Sequence, residues 1–467
     1  MPGSASAYVH LNANKCEVIH APEVTLSSPI FNSFVDVHPD DACLLGAPLF
    51  ESLVLNSALT SCCESLSRAI DRLNDLSSHD ALILLRASFS APRVQHLLRC
   101  SPCVDNPLLA EFDSLLRAGM SSITNCDLSD VQWLQASLPI KEGGLGVRTV
   151  QSLALPAFLS SFVSTESLQR EILKNIEVDD CLPYSDYKQI WMEKYSQSVP
   201  PTPLSHKQSA WDRPAIERMK TQLRNSSNDA IFQCRLTAVG AEHSGDWLYA
   251  LPISACGLRL DDEAVRVAVG LRLGTNLCVS HTCPCGELVD ASGRHSLSCK
   301  LAAGRMSRHH NLNDVIHRAF IRANIPAVKE PSGLSRTDGK RPDGVTLIPW
   351  QSGRPLTWDV TVAHTLADSY LSSAAQNPGG VAELAADRKV DKYSSLTDSF
   401  IFQPLAFETL GPINTSAKLF LAELGRRITL VTKDKQETAQ LFQRLSVTIQ
   451  RFNAVAFRAS FDADYDS

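Results

Sequence analysis

No stretch of the 467 residues runs through about 18 uninterrupted apolar positions, so the sequence offers no transmembrane helix. The N-terminus has no basic segment followed by an apolar run, which removes a secretory signal from the expectations. Cysteine is too sparse for a disulfide scaffold: 14 are present, and most stand singly. These absences point to an intracellular, reducing setting without membrane contact. An excess of positive charge is also missing. Lys and Arg total 44 against 50 Asp and Glu, a net charge of -6, so the whole chain does not bind polyanions by bulk composition. No basic cluster for nuclear import and no internal repeat stand out.

What is present is ordinary for a globular chain: 44% hydrophobic and 20% charged residues. At roughly 100–200 residues per domain, the length suggests two to four domains. Charge is unevenly placed. Residues 1–60 hold one basic residue, Lys15, and six acidic ones, whereas residues 301–360 hold nine Lys/Arg, five Asp/Glu and three histidines. A locally basic segment in an acidic chain suits either a solvated face or a surface that meets phosphate.

The fold class read from the pattern is α+β: a mostly helical N-terminal half, then a cysteine–histidine knuckle, then an α/β domain with a central mixed sheet. Apolar residues at helical spacing run through 48–118, with further helices at 128–138, 150–162, 167–176, 212–226, 229–241 and 261–273. The glycines of 142–146 make a turn, and the prolines near 196–208 mark a linker. After residue 278 the character changes. Val345–Pro349 and Leu356–Ala363 read as a hairpin around 351–354, 378–395 as a helix, 400–409 as a strand, and 415–430 and 436–457 as helices. The domains follow as 1–150, 151–260, 261–305 and 306–467.

Cys283, Cys285, His295 and Cys299 have the spacing Cys-x-Cys-x9-His-x3-Cys. Thiolates with imidazole suit tetrahedral zinc, and four protein ligands close the shell, which makes the role structural. Cys278 is a nearby thiol that is an alternative to Cys283. Free cysteines beside a surface histidine are the plain alternative to a zinc site.

Arg341–Pro342–Asp343–Gly344 leads into the hairpin that ends at Trp358–Asp359–Val360–Thr361. Two carboxylates at the start of neighbouring strands are able to share magnesium or manganese, whose hard-oxygen preference they meet. A nuclease site also needs a cation, and the position two residues past the second carboxylate is Thr361, which cannot supply it. Lys389 and Lys392 lie three apart on the next helix, on one face. By spacing alone a solvated helix flank explains both lysines, and a turn plus a strand end explains both aspartates.

The ordered run Cys283–Pro284–Cys285–Gly286, Gly293–Arg294–His295, Cys299, Arg308–His309, Leu312–Asn313–Asp314, Lys340–Arg341–Pro342–Asp343 and Asp359 resembles the C-terminal region of site-specific non-LTR retrotransposon proteins. In that family a zinc knuckle precedes a restriction-enzyme-like endonuclease of the PD-(D/E)XK type, which nicks target DNA to prime reverse transcription. The resemblance covers about 245–455. It implies structural zinc on Cys283, Cys285, His295 and Cys299. It implies catalytic magnesium or manganese on Asp343 and Asp359, with a migrated lysine at Lys389 or Lys392. It also implies DNA as partner, with retroelement RNA as a further one, and a nuclear location. Asp314 or Glu330 is a candidate third carboxylate, although surface solvation is the default for both. Arg305, Arg308, Arg318, Arg322, Lys340 and Arg341 are the candidate phosphate contacts.

The front half is similar to the thumb that follows a reverse transcriptase palm, through Ala81–Arg86, Ala91–Pro92–Arg93 and Leu97–Leu98–Arg99, and to the segment after that thumb, through Leu138–Pro139 and Gly143–Arg148. The palm itself is missing. Asp40 and Asp41 lack the aromatic residue and apolar hairpin of a polymerase site and read as loop residues. The expectation is thus a downstream piece of a longer retroelement protein, truncated or domesticated. Its activity is expected to be metal-dependent DNA nicking; the alternative is a nucleic-acid-binding remnant without catalysis.

Overall fold

The computed structural model describes residues 12–20, 24, 26–48, 53–172, 182–334, 341–367, 370–371 and 377–461. Lys340, one of the expected phosphate contacts, lies outside them. The chain is α+β and mostly helical. It divides into two compact units, the first drawn from residues 1–68, 91–115 and 149–215, the second from 69–90, 116–148 and 216–467.

The helices of the front half are α1 (Leu53–Leu73), α2 (Ser78–Leu84), α3 (Ala91–Cys100), α4 (Pro107–Thr124), α5 (Asp130–Ala136), α6 (Val150–Ile172), α7 (Leu182–Tyr195), α8 (Gln208–Asn225), α9 (Ala230–Val239) and α10 (Asp262–Leu273). Pro92 does not interrupt α3, because it occupies the first turn, where its missing N–H has no partner to lose. Helix α6 is continuous where the sequence suggested two helices, and it carries Pro156 within it. Helix α7 was not foreseen; its polar and apolar residues show little helical segregation. In the first unit Trp191 and Trp211 are fully buried beside Leu155 and Leu159. Their indole N–H groups donate to the carbonyls of Trp211 at 3.1 Å and Ser205 at 2.7 Å, so neither ring is buried at the cost of an unpaired donor.

The second unit carries two small β structures. Strands β1 (His281–Thr282) and β2 (Leu288–Val289) form a two-stranded antiparallel hairpin. The main sheet has four strands: β3 (Ala327–Lys329), β4 (Gly344–Thr346), β5 (Leu356–Ala363) and β6 (Ile401–Glu408), in the order β6-β5-β4-β3. Strands β3–β4 and β4–β5 pair antiparallel, β5–β6 parallel, so the sheet is mixed. The expected hairpin is present as β4–β5; β3 is an additional strand too short for a period-two signal. Around the sheet lie α11 (Ala303–Arg322), α12 (Gly380–Lys392), α13 (Thr415–Thr432) and α14 (Glu437–Arg458). The parallel β5–β6 pair requires a crossover, and α12 supplies it. The core joins Phe320 of α11, Trp358 of β5 and Phe420 of α13; the Phe320 and Trp358 rings stack at 4.7 Å.

Gly344 shows how the core constrains the site. The Pro342–Asp343–Gly344 run suggested a turn, but Gly344 begins β4, and a Cβ there would stand 2.0 Å from Trp358 Cζ2. The glycine is needed because the indole lies against the backbone directly after Asp343.

Candidate active site and metal centre

Asp359 lies on β5 and Asp343 immediately precedes β4, so antiparallel pairing of these strands brings the two residues side by side. Two hydrogen bonds fix the junction. The Asp343 N–H donates to the Trp358 carbonyl at 2.9 Å, and the Val360 N–H donates to Asp343 Oδ2 at 2.6 Å. The Asp343 side chain is therefore pinned to the residue that follows Asp359. Asn313 of α11 holds both strands: its Nδ2 donates to the Asp343 carbonyl at 3.3 Å and its Oδ1 accepts from Trp358 Nε1 at 2.8 Å.

Asp359 is 3% exposed. Lys389 of α12 reaches it from the neighbouring element, with Nζ 2.8 Å from Oδ1 and 2.9 Å from Oδ2. Burial raises the Asp359 pKa, the nearby Asp343 charge raises it further, and Lys389 works against both. A buried carboxylate beside a second carboxylate is costly to ionise, and a centred ammonium offsets that cost. Lys392 takes a different course. Its Nζ donates to Tyr393 Oη at 2.8 Å and lies 4.4 Å from that ring's centre, while the Tyr393 hydroxyl donates to the Arg341 carbonyl at 2.8 Å. Of the two candidate lysines, Lys389 is the one that binds the Asp359 carboxylate.

His309 of α11 completes the group and was not singled out by sequence reasoning. Its Nε2 lies 3.2 Å from Asp343 Oδ1. The hydrogen bond to Asp343 raises the His309 pKa, and burial opposes the rise. The signal was available as the Arg308–His309 pair, but helical periodicity alone does not say which strand a polar helix residue meets.

Other expected residues are engaged elsewhere. Asp314 pairs with Lys329 at the sheet edge, and Glu330 pairs with Arg341. Arg322 pairs with Glu437. Arg305 and Arg318 are exposed. Arg308, expected to face phosphate, is 2% exposed; its guanidinium donates to Asn453 Oδ1 at 2.7 Å and to the Leu297 carbonyl at 3.3 Å. Its role is to tie α11 to α14 and to the knuckle, because the helix turns this side chain inward.

The cysteine–histidine knuckle forms a second centre. The donor atoms of Cys283, Cys285, His295 and Cys299 all lie within 4.8 Å of one another. Cys283 Sγ and Cys299 Sγ are 3.7 Å apart, and Cys285 Sγ is 3.1 Å from His295 Nε2. Two thiolates on a tetrahedral zinc, each bonded at about 2.3 Å, stand about 3.8 Å apart, so the donor set fits that ion. The β1–β2 hairpin presents the first pair, with Gly286 at φ 89° in its turn, and a short 3-10 helix, Arg294–Leu297, presents His295. The Glu287 backbone N–H and the neighbouring donors pull the Cys285 thiol down to about 7, towards the thiolate that a metal needs. Burial pushes Cys283 up to about 11; a bound cation would favour its thiolate. Cys278 is outside the group, with its Sγ 3.4 Å from the Asp290 carbonyl, so Cys283 rather than Cys278 belongs to the donor cluster. This cluster is able to hold a metal such as zinc. Among the described residues no helix is long and apolar enough to cross a membrane. No protein-family model and no curated protein matches the chain.

Proposed function

We propose that residues 306–467 form a magnesium- or manganese-dependent DNA endonuclease of the PD-(D/E)XK type, related to the endonuclease of site-specific non-LTR retrotransposon proteins. The observation that carries this reading is the Asp343–Asp359–Lys389 arrangement: one carboxylate immediately before β4, one on the adjoining β5, and one ammonium bound to both oxygens of the second. Asp343 and Asp359 are the residues that would hold the divalent ion. When bound, that ion supplies an activated water and charge stabilisation for the leaving oxygen.

The chain's own groups do the rest. Lys389 neutralises Asp359 and keeps a positive charge beside the position of the reacting phosphate, where developing negative charge is stabilised in a water-poor setting. His309 donates to Asp343 and orients its carboxylate. Thr361, two residues beyond Asp359 on the same face of β5, leaves the cation's place to be filled from α12. The knuckle, with structural zinc, abuts α14 through Val289, Cys299 and Ala456 and so extends the surface that meets DNA. DNA is the proposed partner, retroelement RNA a further one, and the nucleus the compartment where such a target lies.

The test is nicking of supercoiled plasmid in magnesium or manganese by the wild type and by Asp343→Ala. The expected result is nicking by the wild type, lost in the variant. Equal nicking by both, or none by the wild type under either metal, overturns the nuclease reading. Retention of DNA binding in the latter case would leave the non-catalytic remnant as the function.

A further inference from the structure

A cleft of about 330 Å³ runs away from the carboxylate pair on the side of Lys389, between the knuckle and the β5–α12 face. Its charge is one-sided. Among the described residues Arg305, Arg308, Arg388 and Lys389 line it, and no Asp or Glu does. Arg308 is committed to Asn453 and Leu297, and Lys389 to Asp359, which leaves Arg305 and Arg388 as exposed guanidinium groups on opposite elements. Apolar surface comes from Leu297 of the knuckle, Ala363 of β5 and Ala385 of α12. The Tyr370 ring stands in it with the His364 imidazole, and the Arg388 guanidinium lies 5.4 Å from the Tyr370 ring centre and is bonded to its hydroxyl. The volume is within the range of small-ligand sites.

A site whose described lining carries four cationic side chains favours an anion. An apolar wall with a tyrosine selects a flat π-system. The two together describe a nucleotide, and the continuity through Lys389 places it next to the phosphate that the Asp343–Asp359 pair would attack. Paired bases inside a duplex do not expose their faces, so a ring able to stack with a base requires an unpaired one.

We infer that this cleft is a subsite for one unpaired nucleotide of single-stranded DNA adjoining the cut. Its base seats against the Tyr370–Arg388 pair and its phosphate is held by Arg305 and Arg388. The inference rests on the endonuclease reading and names the substrate feature it favours: a strand that is locally open beside the cleavage site.

The test compares binding of the full-length protein, without added divalent metal, to a duplex and to the same duplex with a short central bubble. The wild type is expected to prefer the bubble, and Tyr370→Ala to reduce that preference about tenfold, the size of one base–aromatic stack. Tyr370→Phe, which keeps the ring, is expected to retain the preference. Arg388→Ala is expected to lower the slope of log affinity against log salt by about 1. No preference in the wild type, an unchanged preference in Tyr370→Ala, or a Tyr370→Phe variant as defective as the alanine variant overturns the inference. The nuclease reading fails separately, through the plasmid assay, where Asp343→Ala rather than Tyr370 decides.

Discussion

Lys389 and Lys392 are one helical turn apart, yet their ammonium groups serve different partners. Lys389 bridges both oxygens of a nearly enclosed carboxylate, whereas Lys392 rests against Tyr393. Removing a preorganised donor from a reacting centre costs about 10²–10³ in rate. Lys389→Met is therefore expected to lower nicking by about that factor, and Lys392→Met by less than about tenfold, read in the same plasmid assay. Comparable losses in both would mean that the proton-rich side chain nearest Asp359 is not the one that matters. At this scale the sequence named the aspartates correctly as neighbours, and it left the lysines open because side chains on one helix face share a direction but not a length or a partner. His309 escaped notice for the same reason: its role depends on Asp343, 34 positions away.

At the scale of the element, α12 is capped from outside. Its N-cap is Gly379, which has no side chain to offer, and the Ala382 N–H donates instead to Glu408 Oε1 of β6 at 3.1 Å. Burial lifts the Glu408 pKa to about 7. The folded chain then holds this proton more tightly than the unfolded chain. The contribution to stability is full below the unfolded value of about 4.5 and is lost as pH rises through about 7. Glu408→Gln keeps the acceptor and removes the titration. Between about pH 5 and pH 8 the wild type is expected to lose up to about 3 kcal/mol relative to Glu408→Gln, measured as urea midpoints at each pH. A parallel response in both proteins would contradict the assignment. The knuckle is the second element whose stability is tied to chemistry. Its hairpin and 3-10 turn bring four metal-type donors together, and a bound ion would add its binding free energy to their stability. One equivalent of zinc is expected in the purified protein by elemental analysis. Cys299→Ala or a strong chelator is expected to release it and lower the melting temperature. Zinc content at background in the wild type would remove the metal from the account.

Across the second unit, α14 is the common strut. It packs on α10, α11 and α13, meets the knuckle through Ala456, and receives the Arg308 guanidinium through Asn453, whose own Nδ2 donates to the Thr409 carbonyl after β6. One buried cation thus connects the knuckle, α11 and α14. Arg308→Ala is expected to destabilise the protein by about 2–4 kcal/mol, through a cavity and unpaired polar groups, while leaving the salt dependence of DNA binding unchanged. A reduced salt slope with unchanged urea midpoint would restore Arg308 as a phosphate contact. Local pattern was enough for the α+β class, for most helices, for the β4–β5 hairpin and for the clustering of the four knuckle donors, because each of these depends on residues close in the chain. It missed α7, whose helical face is poorly segregated, and β3, which is three residues long and defined by its pairing with β4. The sequence by itself determined the candidate carboxylates, lysines and Cys/His donors, because residue type and spacing are local, but not His309. Only the tertiary structure decided which of them meet: that Lys389 rather than Lys392 lies on Asp359, that His309 faces Asp343, and that Arg308 is turned into the interior. Those outcomes are set by the crossing of α11 and α12 over the sheet, a long-range packing result that no window of neighbouring residues contains.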